Sequence, residues 1–164
     1  MVLAFSTKPE SKCSGTLFEI LSQNQKQYYK LVLISNTELQ FEFKLVSIRD
    51  PVQIKISLKQ FHIELCDTNR HTIYIERNST KWIKYKIDGR PMVELIKYKD
   101  DATGYFERPF FFYVGNNKRS SQSQLDSQFS GCISGAKFHL SLGSGIKTVE
   151  PIMENLATNA TGTH

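Results

Sequence analysis

The side chains that could do chemistry in this chain of 164 residues are not grouped at the spacings that catalysis requires. There is no Gly-x-Ser-x-Gly elbow, no His-Glu-x-x-His run and no glycine-rich phosphate loop. A glycosidase would need two carboxylates about 5–10 Å apart. The nearest candidates, Glu64 and Asp67, are three residues apart and would point to opposite faces of a strand. The sequence therefore predicts no catalytic residue.

Metal-binding candidates are equally sparse. The four histidines do not stand at the spacings of zinc ligands; they are His62, His71, His139 and His164. The residue pattern therefore predicts no metal site and no cofactor.

A basic cluster with an aromatic neighbour is the best candidate for ligand binding. Lys84 and Lys86 alternate with apolar residues and share a strand face with Trp82, and Lys81 precedes them at a turn. Such a cluster suits a sulfated glycan or an acidic protein surface, although a solvated strand face has the same pattern. The formal net charge of +5 fits both interpretations, because moderate charge also promotes solubility. We expect no nucleic-acid partner.

A predicted β-hairpin carries this cluster. Apolar and polar residues alternate with a period of two before and after a polar turn, which is typical of a strand with one buried face. The sequence predicts antiparallel pairing of residues 72–77 with 82–87, followed by an Asp88-Gly89 turn that tolerates positive φ. The residues expected in the core are Ile73, Ile75, Ile83, Tyr85 and Ile87.

Short strands continue along most of the chain, and no segment has the capped, 3.6-residue periodicity of a helix. Two sheets that each have one apolar face must cover one another, so the pattern predicts an all-β, antiparallel two-sheet β-sandwich. The further strands are predicted at residues 3–7, 16–21, 29–34, 39–45, 54–58, 91–99, 110–114 and 133–142.

The aromatic segment 106–113 contains more aromatic rings than one buried face needs. We expect a central strand covered on both faces, and the alternative is an exposed binding patch. Residues 116–128 are predicted to form an exposed polar loop. Periodicity fades after Gly143, so no closing strand is predicted there.

Two motifs in this order resemble the laminin G-like domains of laminin α chains, neurexins and contactin-associated proteins. The first is His71-Thr-Ile-Tyr-Ile-Glu-Arg-Asn78 followed by a strand that ends in Asp88-Gly89. The second is Phe112-Tyr-Val-Gly115 followed by Phe129-Ser-Gly-Cys-Ile133. One departure is Arg70, where the family pattern has Trp. The resemblance implies a jelly-roll, concanavalin-like sandwich in which His71 has a structural role.

The resemblance also implies a function without catalysis. We expect an extracellular glycoprotein module for cell adhesion, within a larger secreted or membrane-anchored protein that carries EGF-like modules, binding a protein or a glycan. A heparin-binding lectin module of related shape is the alternative, and a glycosidase is a weaker one. The module is expected at residues 1–150, with a tail or linker at 151–164.

Calcium is disfavoured by the residues at the family's site. The resemblance places one aspartate before the strand that begins at Tyr28, where this chain has Gln27. The second ligand would fall near Glu107. One carboxylate is a poor site for a cation that takes 6–8 oxygen ligands.

The three cysteines leave at least one without an intrachain partner. In the family, the cysteine at the position of Cys132 pairs with a later one, and no cysteine follows it here. Cys13 and Cys66 are either free thiols or a pair of their own. Together with the missing closing strand, this suggests a domain that lacks terminal strands, with a reactive Cys132.

Two sequons are candidate glycosylation sites. Asn78-Ser-Thr lies in the predicted hairpin turn, and Asn159-Ala-Thr lies in the predicted tail.

Overall fold

The computed structural model describes residues 1–9, 13–46, 49–78, 82–90, 95–97, 110–115, 129–142 and 145–149. These residues form strands joined by turns, with a single-turn 3₁₀ helix at Lys59–Phe61. The strands are β1 (Val2–Thr7), β2 (Gly15–Ser22), β3 (Tyr28–Ser35), β4 (Glu38–Lys44), β5 (Val52–Ser57), β6 (His71–Asn78), β7 (Trp82–Ile87), β8 (Leu95–Lys97), β9 (Phe110–Val114), β10 (Gly131–Leu142) and β11 (Gly145–Val149).

The strands form two antiparallel sheets. One sheet has six strands in the order β11-β10-β1-β6-β7-β8, and the other has five in the order β5-β4-β3-β2-β9. The apolar side chains of both sheets join in one core cluster, as sheets with one apolar face require. This confirms the predicted all-β sandwich of jelly-roll type. Among the described residues, no helix has the length and apolar character needed to cross a membrane.

The predicted hairpin is present in the predicted register. β6 pairs antiparallel with β7, with Ile73 opposite Ile87 and Ile75 opposite Tyr85. All five residues expected in the core are at most 4% exposed. The hairpin ends at Asp88-Gly89, where φ is 53° and 68°, and the Arg90 N–H donates to the Ile87 carbonyl at 3.1 Å. Positive φ at both central turn positions explains the choice of Asp-Gly.

Two central strands of the five-stranded sheet are covered on both faces. Every residue of β2 is buried, and so are the first six residues of β3. On the outer face, Glu19 and Lys30 lie directly opposite one another at 0% and 8% exposure. Opposite charges in register suit such a position, because a buried charge requires a nearby counter-charge.

The prediction that the aromatic segment is a central strand is wrong. Within the described residues, β9 is the last strand of its sheet and pairs with β2. Phe112 is buried at 9% exposure, whereas Phe111 is 47% exposed and its ring lies 6.3 Å from that of Tyr113. The alternation within β9 was predicted correctly, and its place in the sheet was not.

The prediction that no strand follows Gly143 is also wrong. β11 pairs with β10, with Leu142 opposite Gly145 and Phe138 opposite Val149. A five-residue edge strand with neighbours on one side alone has a weak period-two signal. Of the predicted strand 91–99, the structure describes residues 95–97, and these form β8. The predicted loop at 116–128 and the tail at 151–164 lie outside the described residues.

The Phe-x-Gly-Cys motif joins the two sheets. The Phe129 N–H donates to the Gly115 carbonyl at 3.2 Å, and the Gly115 N–H donates to the Leu17 carbonyl at 3.0 Å. The Phe129 ring packs edge-on against Phe5, with centroids 5.8 Å apart. A Cβ on Gly131 would lie 2.6 Å from the Phe129 ring and would overlap the Ser6 carbonyl, so only glycine fits this position.

Cys13 and Cys66 form a disulfide with a Cα–Cα distance of 5.9 Å. Of the two alternatives for these cysteines, the pair of their own is therefore the one observed. Cys132 is free and exposed, as expected for a cysteine without its family partner.

We predict that Ile75→Ala lowers the free energy of unfolding by about 2–5 kcal/mol, because the truncation leaves a cavity between the sheets. Urea denaturation of both proteins measures this. Thr72→Ala is the control, since Thr72 is exposed on the same strand and its truncation should change stability by less than about 0.5 kcal/mol. A loss below about 1 kcal/mol for Ile75→Ala would contradict the register.

We also predict that one thiol of the native chain reacts with Ellman's reagent, and that Cys132→Ser abolishes this reaction. Three thiols should react after reduction and denaturation. Reaction of two or three thiols in the native, unreduced protein would contradict the Cys13–Cys66 disulfide.

Candidate functional site

The outer face of β7 carries the predicted basic cluster. Ile83, Tyr85 and Ile87 point into the core, so the alternate positions of the strand belong to the outer face of the six-stranded sheet. Lys84 is half-buried there and Lys86 is exposed. Trp82 occupies the next alternate position, at the start of the strand. Lys81 lies outside the described residues.

Strand pairing brings two more lysines to this face. Trp82 lies opposite Lys97 of β8. In the other direction, Lys86 lies opposite Tyr74, Tyr74 opposite Val2, and Val2 opposite Lys137 of β10. Three strand spacings of about 4.8 Å separate Lys86 from Lys137, or roughly 14 Å in all. We call Lys84, Lys86, Lys97 and Lys137 the lysine face.

Sequence reasoning missed Lys97 and Lys137. Each stands alone on its own strand, so no local pattern distinguishes it from other surface lysines. The signal lies in the pairing of β1 with both β6 and β10, which are distant in sequence. The row from Lys86 to Lys137 crosses four strands, so it depends on the order in which the strands pair. A sequence pattern predicts the positions of strands better than their order in a sheet.

One acidic residue within this face, Glu76, is hydrogen-bonded to a neighbouring tyrosine. Glu76 lies opposite Lys84 in register, but its carboxylate accepts a hydrogen bond of 3.1 Å from the Tyr74 hydroxyl. Burial, together with the hydrogen bond and charge of Glu76, raises the pKa of Tyr74 above its usual value of 10.0. Within the described residues, neither Lys84 nor Lys86 forms an ion pair.

The outer face of the five-stranded sheet has a different character. Glu42 accepts hydrogen bonds from Gln40 at 3.3 Å and from Gln53 at 3.0 Å. It also accepts a hydrogen bond from the Tyr28 hydroxyl. Acidic, basic and amide groups alternate on this face. The two faces of the sandwich therefore differ in charge.

At one end of the sandwich, His71 is held between two carboxylates. Its Nδ1 lies 2.8 Å from Asp88 Oδ2 and its Nε2 lies 2.8 Å from Asp67 Oδ1, with 7% of its side chain exposed. Asp88 also accepts the Thr72 N–H at 2.8 Å, and Asp67 accepts the Asn69 N–H at 2.9 Å. Only the imidazolium can donate to both carboxylates, so His71 is positively charged in this arrangement.

The pKa values follow from these contacts. Burial by itself lowers the pKa of His71, but the hydrogen bonds and charges of Asp88 and Asp67 outweigh it, so the pKa lies above 6.5. Desolvation raises the pKa of Asp67, but hydrogen bonds from Asn69 and His71 outweigh it, so the pKa lies below 3.8. The structural role expected for His71 agrees with this geometry.

The carboxylates considered for glycosidase chemistry are not on a strand, contrary to the prediction. Glu64 and Asp67 lie between the 3₁₀ helix and β6, in a loop that contains disulfide-bonded Cys66. Asp67 is bonded to His71, whereas Glu64 is exposed.

The position of the family's calcium aspartate is occupied by a buried glutamine. The Gln27 N–H donates to the Ser22 hydroxyl at 3.1 Å, and the Ser22 N–H donates to the Gln27 carbonyl at 3.0 Å. These bonds close the β2–β3 turn. In the part of the chain that the structure describes, no group of three or more His, Cys, Asp or Glu side chains has an arrangement that could hold a metal ion. Glu107 lies outside that part.

Of the two sequons, only that of Asn78 begins within the described residues. Asn78 is the last residue of β6 and lies opposite Trp82. Asn159 falls outside them.

Comparison with known families gives one match over most of the chain. A family model described as "Laminin G domain" matches residues 8–140. A search of curated proteins found no match.

Solved structures with the same fold include two laminin chains. The mouse laminin alpha1 chain, domains LG4-5, is 18% identical with a TM-score of 0.62, covering 90% of this chain and 34% of that one. The LG1-3 region of the laminin alpha2 chain is 15% identical with a TM-score of 0.58, covering 80% of this chain and 25% of that one. The present chain thus spans only about a third or a quarter of these laminin chains.

A carbohydrate-binding module is also similar in fold. The CBM40 of Ruminococcus gnavus IT-sialidase is 14% identical with a TM-score of 0.53, covering 79% of this chain and 68% of that one.

The His71 contacts predict a pH dependence of stability. Because the folded pKa of His71 exceeds 6.5, its contribution is complete below about pH 6.5 and is lost as pH rises through the folded pKa. Because the folded pKa of Asp67 is below 3.8, its contribution is present above that value and is lost as pH falls through the folded pKa. The stability difference between wild type and His71→Gln should therefore be largest at about pH 5–6 and should shrink toward pH 9.

Urea denaturation across this pH range measures the difference. His62→Asn is the control, because His62 is exposed and its φ of 52° suits asparagine. A difference that grows with rising pH would contradict the charged state assigned to His71.

Proposed function

This chain belongs to the laminin G domain family, and from that membership we propose that it is a non-catalytic recognition module that binds an acidic glycan or an acidic protein surface. Laminin G domains are typically extracellular binding modules. The proposed module acts in cell adhesion, within a larger secreted or cell-surface protein. Its binding surface is the lysine face, with Trp82 and Tyr74 beside the lysines.

The observation that carries this proposal is the row of lysines that strand register places on one outer sheet face. Lys84 and Lys86 make no ion pair within the described residues, and Glu76 is bonded to Tyr74 instead. Strand register adds Lys97 on one side and Lys137 on the other. Several lysines in register on one sheet face form a basic surface that attracts an extended polyanion.

An extracellular location is supported by the Cys13–Cys66 disulfide, because such bonds persist in oxidising compartments. We propose that the parent protein carries further modules, EGF-like ones among them, and has candidate glycosylation sites at Asn78 and Asn159. The contacts of the carboxylates favour binding over catalysis, since Asp67 is engaged by His71 and Glu64 is exposed in a loop.

The second candidate function is that of a lectin for acidic oligosaccharides. It is favoured by the fold shared with CBM40 of Ruminococcus gnavus IT-sialidase, which has been solved bound to alpha2,3 sialyllactose. A lectin site contacts one or a few sugars, so a short oligosaccharide should bind as tightly as a long chain. If the lysine face binds through charge alone, affinity should instead rise as the polyanion becomes longer.

We predict that replacing Lys84 and Lys86 together by glutamine weakens binding to heparin. Each lysine that contacts a polyanion releases about one counterion, so the slope of log affinity against log salt should fall by roughly two units. Elution from heparin resin and titration at several salt concentrations measure the change.

The matched control replaces Lys26 and Lys59 by glutamine. Both are exposed and lie away from the lysine face, and the loss of net charge is the same. An equal loss of affinity in the two double variants would show that net charge alone drives binding, and would contradict a site on β7.

A further inference from the structure

Asn78 of the hairpin is a candidate acceptor for N-linked glycan at the border of the lysine face. It begins an Asn-Ser-Thr sequon, and it is the last residue of β6, four positions before Trp82, which begins β7. A strand end beside a polar turn can accept a bulky modification without loss of sheet pairing beyond it.

The register fixes where such a glycan is attached relative to the lysines. Asn78 lies directly opposite Trp82, which places their Cα atoms about 4.5–5.5 Å apart. Lys84 is then the diagonal neighbour of Asn78, about 7–8 Å away. Trp82 in turn lies opposite Lys97. Asn78 is therefore the diagonal neighbour of Lys84, and it is separated from Lys97 by Trp82 alone.

The alternation of β6 also assigns Asn78 to the outer side. The inward positions of β6 are occupied by Ile73, Ile75 and Arg77. Ile75 is buried, and the Arg77 guanidinium lies 5.0 Å from the centroid of the Phe43 ring in the core. Glu76 is exposed at an outward position, and Asn78 is the next residue in the same alternation. Its strand position thus belongs to the face on which Lys84 and Lys86 stand.

From this register we propose that glycosylation of Asn78 and polyanion binding by the lysine face exclude one another. The proposal rests on the proposed function. A glycan attached one residue pair from Lys84 occupies the volume that an extended polyanion must enter to reach Lys84 and Trp82. The modification thereby sets the binding activity of the module, and the unglycosylated chain is the form that binds.

The test uses the full chain secreted from cells that add only neutral oligomannose glycans, so that the glycan itself carries no charge. Four proteins are compared: wild type, Asn78→Gln, Thr80→Ala and Asn159→Gln. Thr80→Ala removes the sequon but keeps Asn78, and Asn159→Gln removes the other sequon alone. Intact mass reports occupancy, and titration with heparin reports affinity.

We expect wild type and Asn159→Gln to carry glycan at Asn78 and to bind heparin as weakly as the Lys84→Gln, Lys86→Gln double variant. Asn78→Gln and Thr80→Ala should bind tightly. The same four proteins made in bacteria, without glycan, should bind alike, which excludes an effect of the substitutions themselves.

An unoccupied Asn78 would overturn the proposal, and so would glycosylated wild type that binds as tightly as Thr80→Ala. One further result would show that the proposed function itself is wrong. If the unglycosylated proteins do not bind heparin at all, the lysine face is not a polyanion site, and the exclusion is overturned with it.

Discussion

The register of β6 against β7 is the constraint on which both the core and the candidate site depend. Side chains alternate between the two faces of a strand, so a slip of one residue would exchange the faces. In the observed register, isoleucines of both strands meet in the core, and this forces Lys84 and Lys86 outward together. The apolar side fixes the pairing, and the basic side follows from it. The candidate binding surface is therefore a consequence of core packing.

Contacts at the end of the sandwich hold this hairpin in place. His71, the first residue of β6, bonds to Asp88 after β7 and to Asp67 in the preceding loop. Its ring lies 5.8 Å from that of Phe5, which contacts Phe129 at the junction of the sheets. Cys66, adjacent to Asp67, is linked to Cys13. The buried His71 imidazolium and the Cys13–Cys66 disulfide therefore connect β1, β6, β7 and the loop before β6.

The local sequence pattern was sufficient to predict strands that have one buried face and one exposed face. The alternation of β4, β5, β6 and β7 predicted their strands and buried residues, and Asp88-Gly89 predicted its turn. The pattern failed where the signal is not local. β9 was expected at the centre of a sheet because its aromatic content is high, whereas its pairing places it at the end of the described sheet.

The candidate site shows the same division. Lys84 and Lys86 were found from their alternation with isoleucines, but Lys97 and Lys137 join them only through strand order. The pairing of Cys13 with Cys66 likewise depends on geometry, since three cysteines allow several pairings. Glu19 and Lys30 are buried on an outer sheet face, and no alternation of apolar and polar residues can reveal that this face is covered.

The central claim is that recognition takes place on the outer face of the six-stranded sheet. The most direct measurement is the change in backbone amide chemical shifts when a heparin oligosaccharide is titrated into the isotope-labelled, unglycosylated chain. The account predicts shifts at Tyr74, Lys84, Lys86 and Lys137, with little change at Gln40, Glu42 and Gln53 of the other sheet. Shifts that cluster on β4 and β5, or that are absent at saturating oligosaccharide, would contradict it.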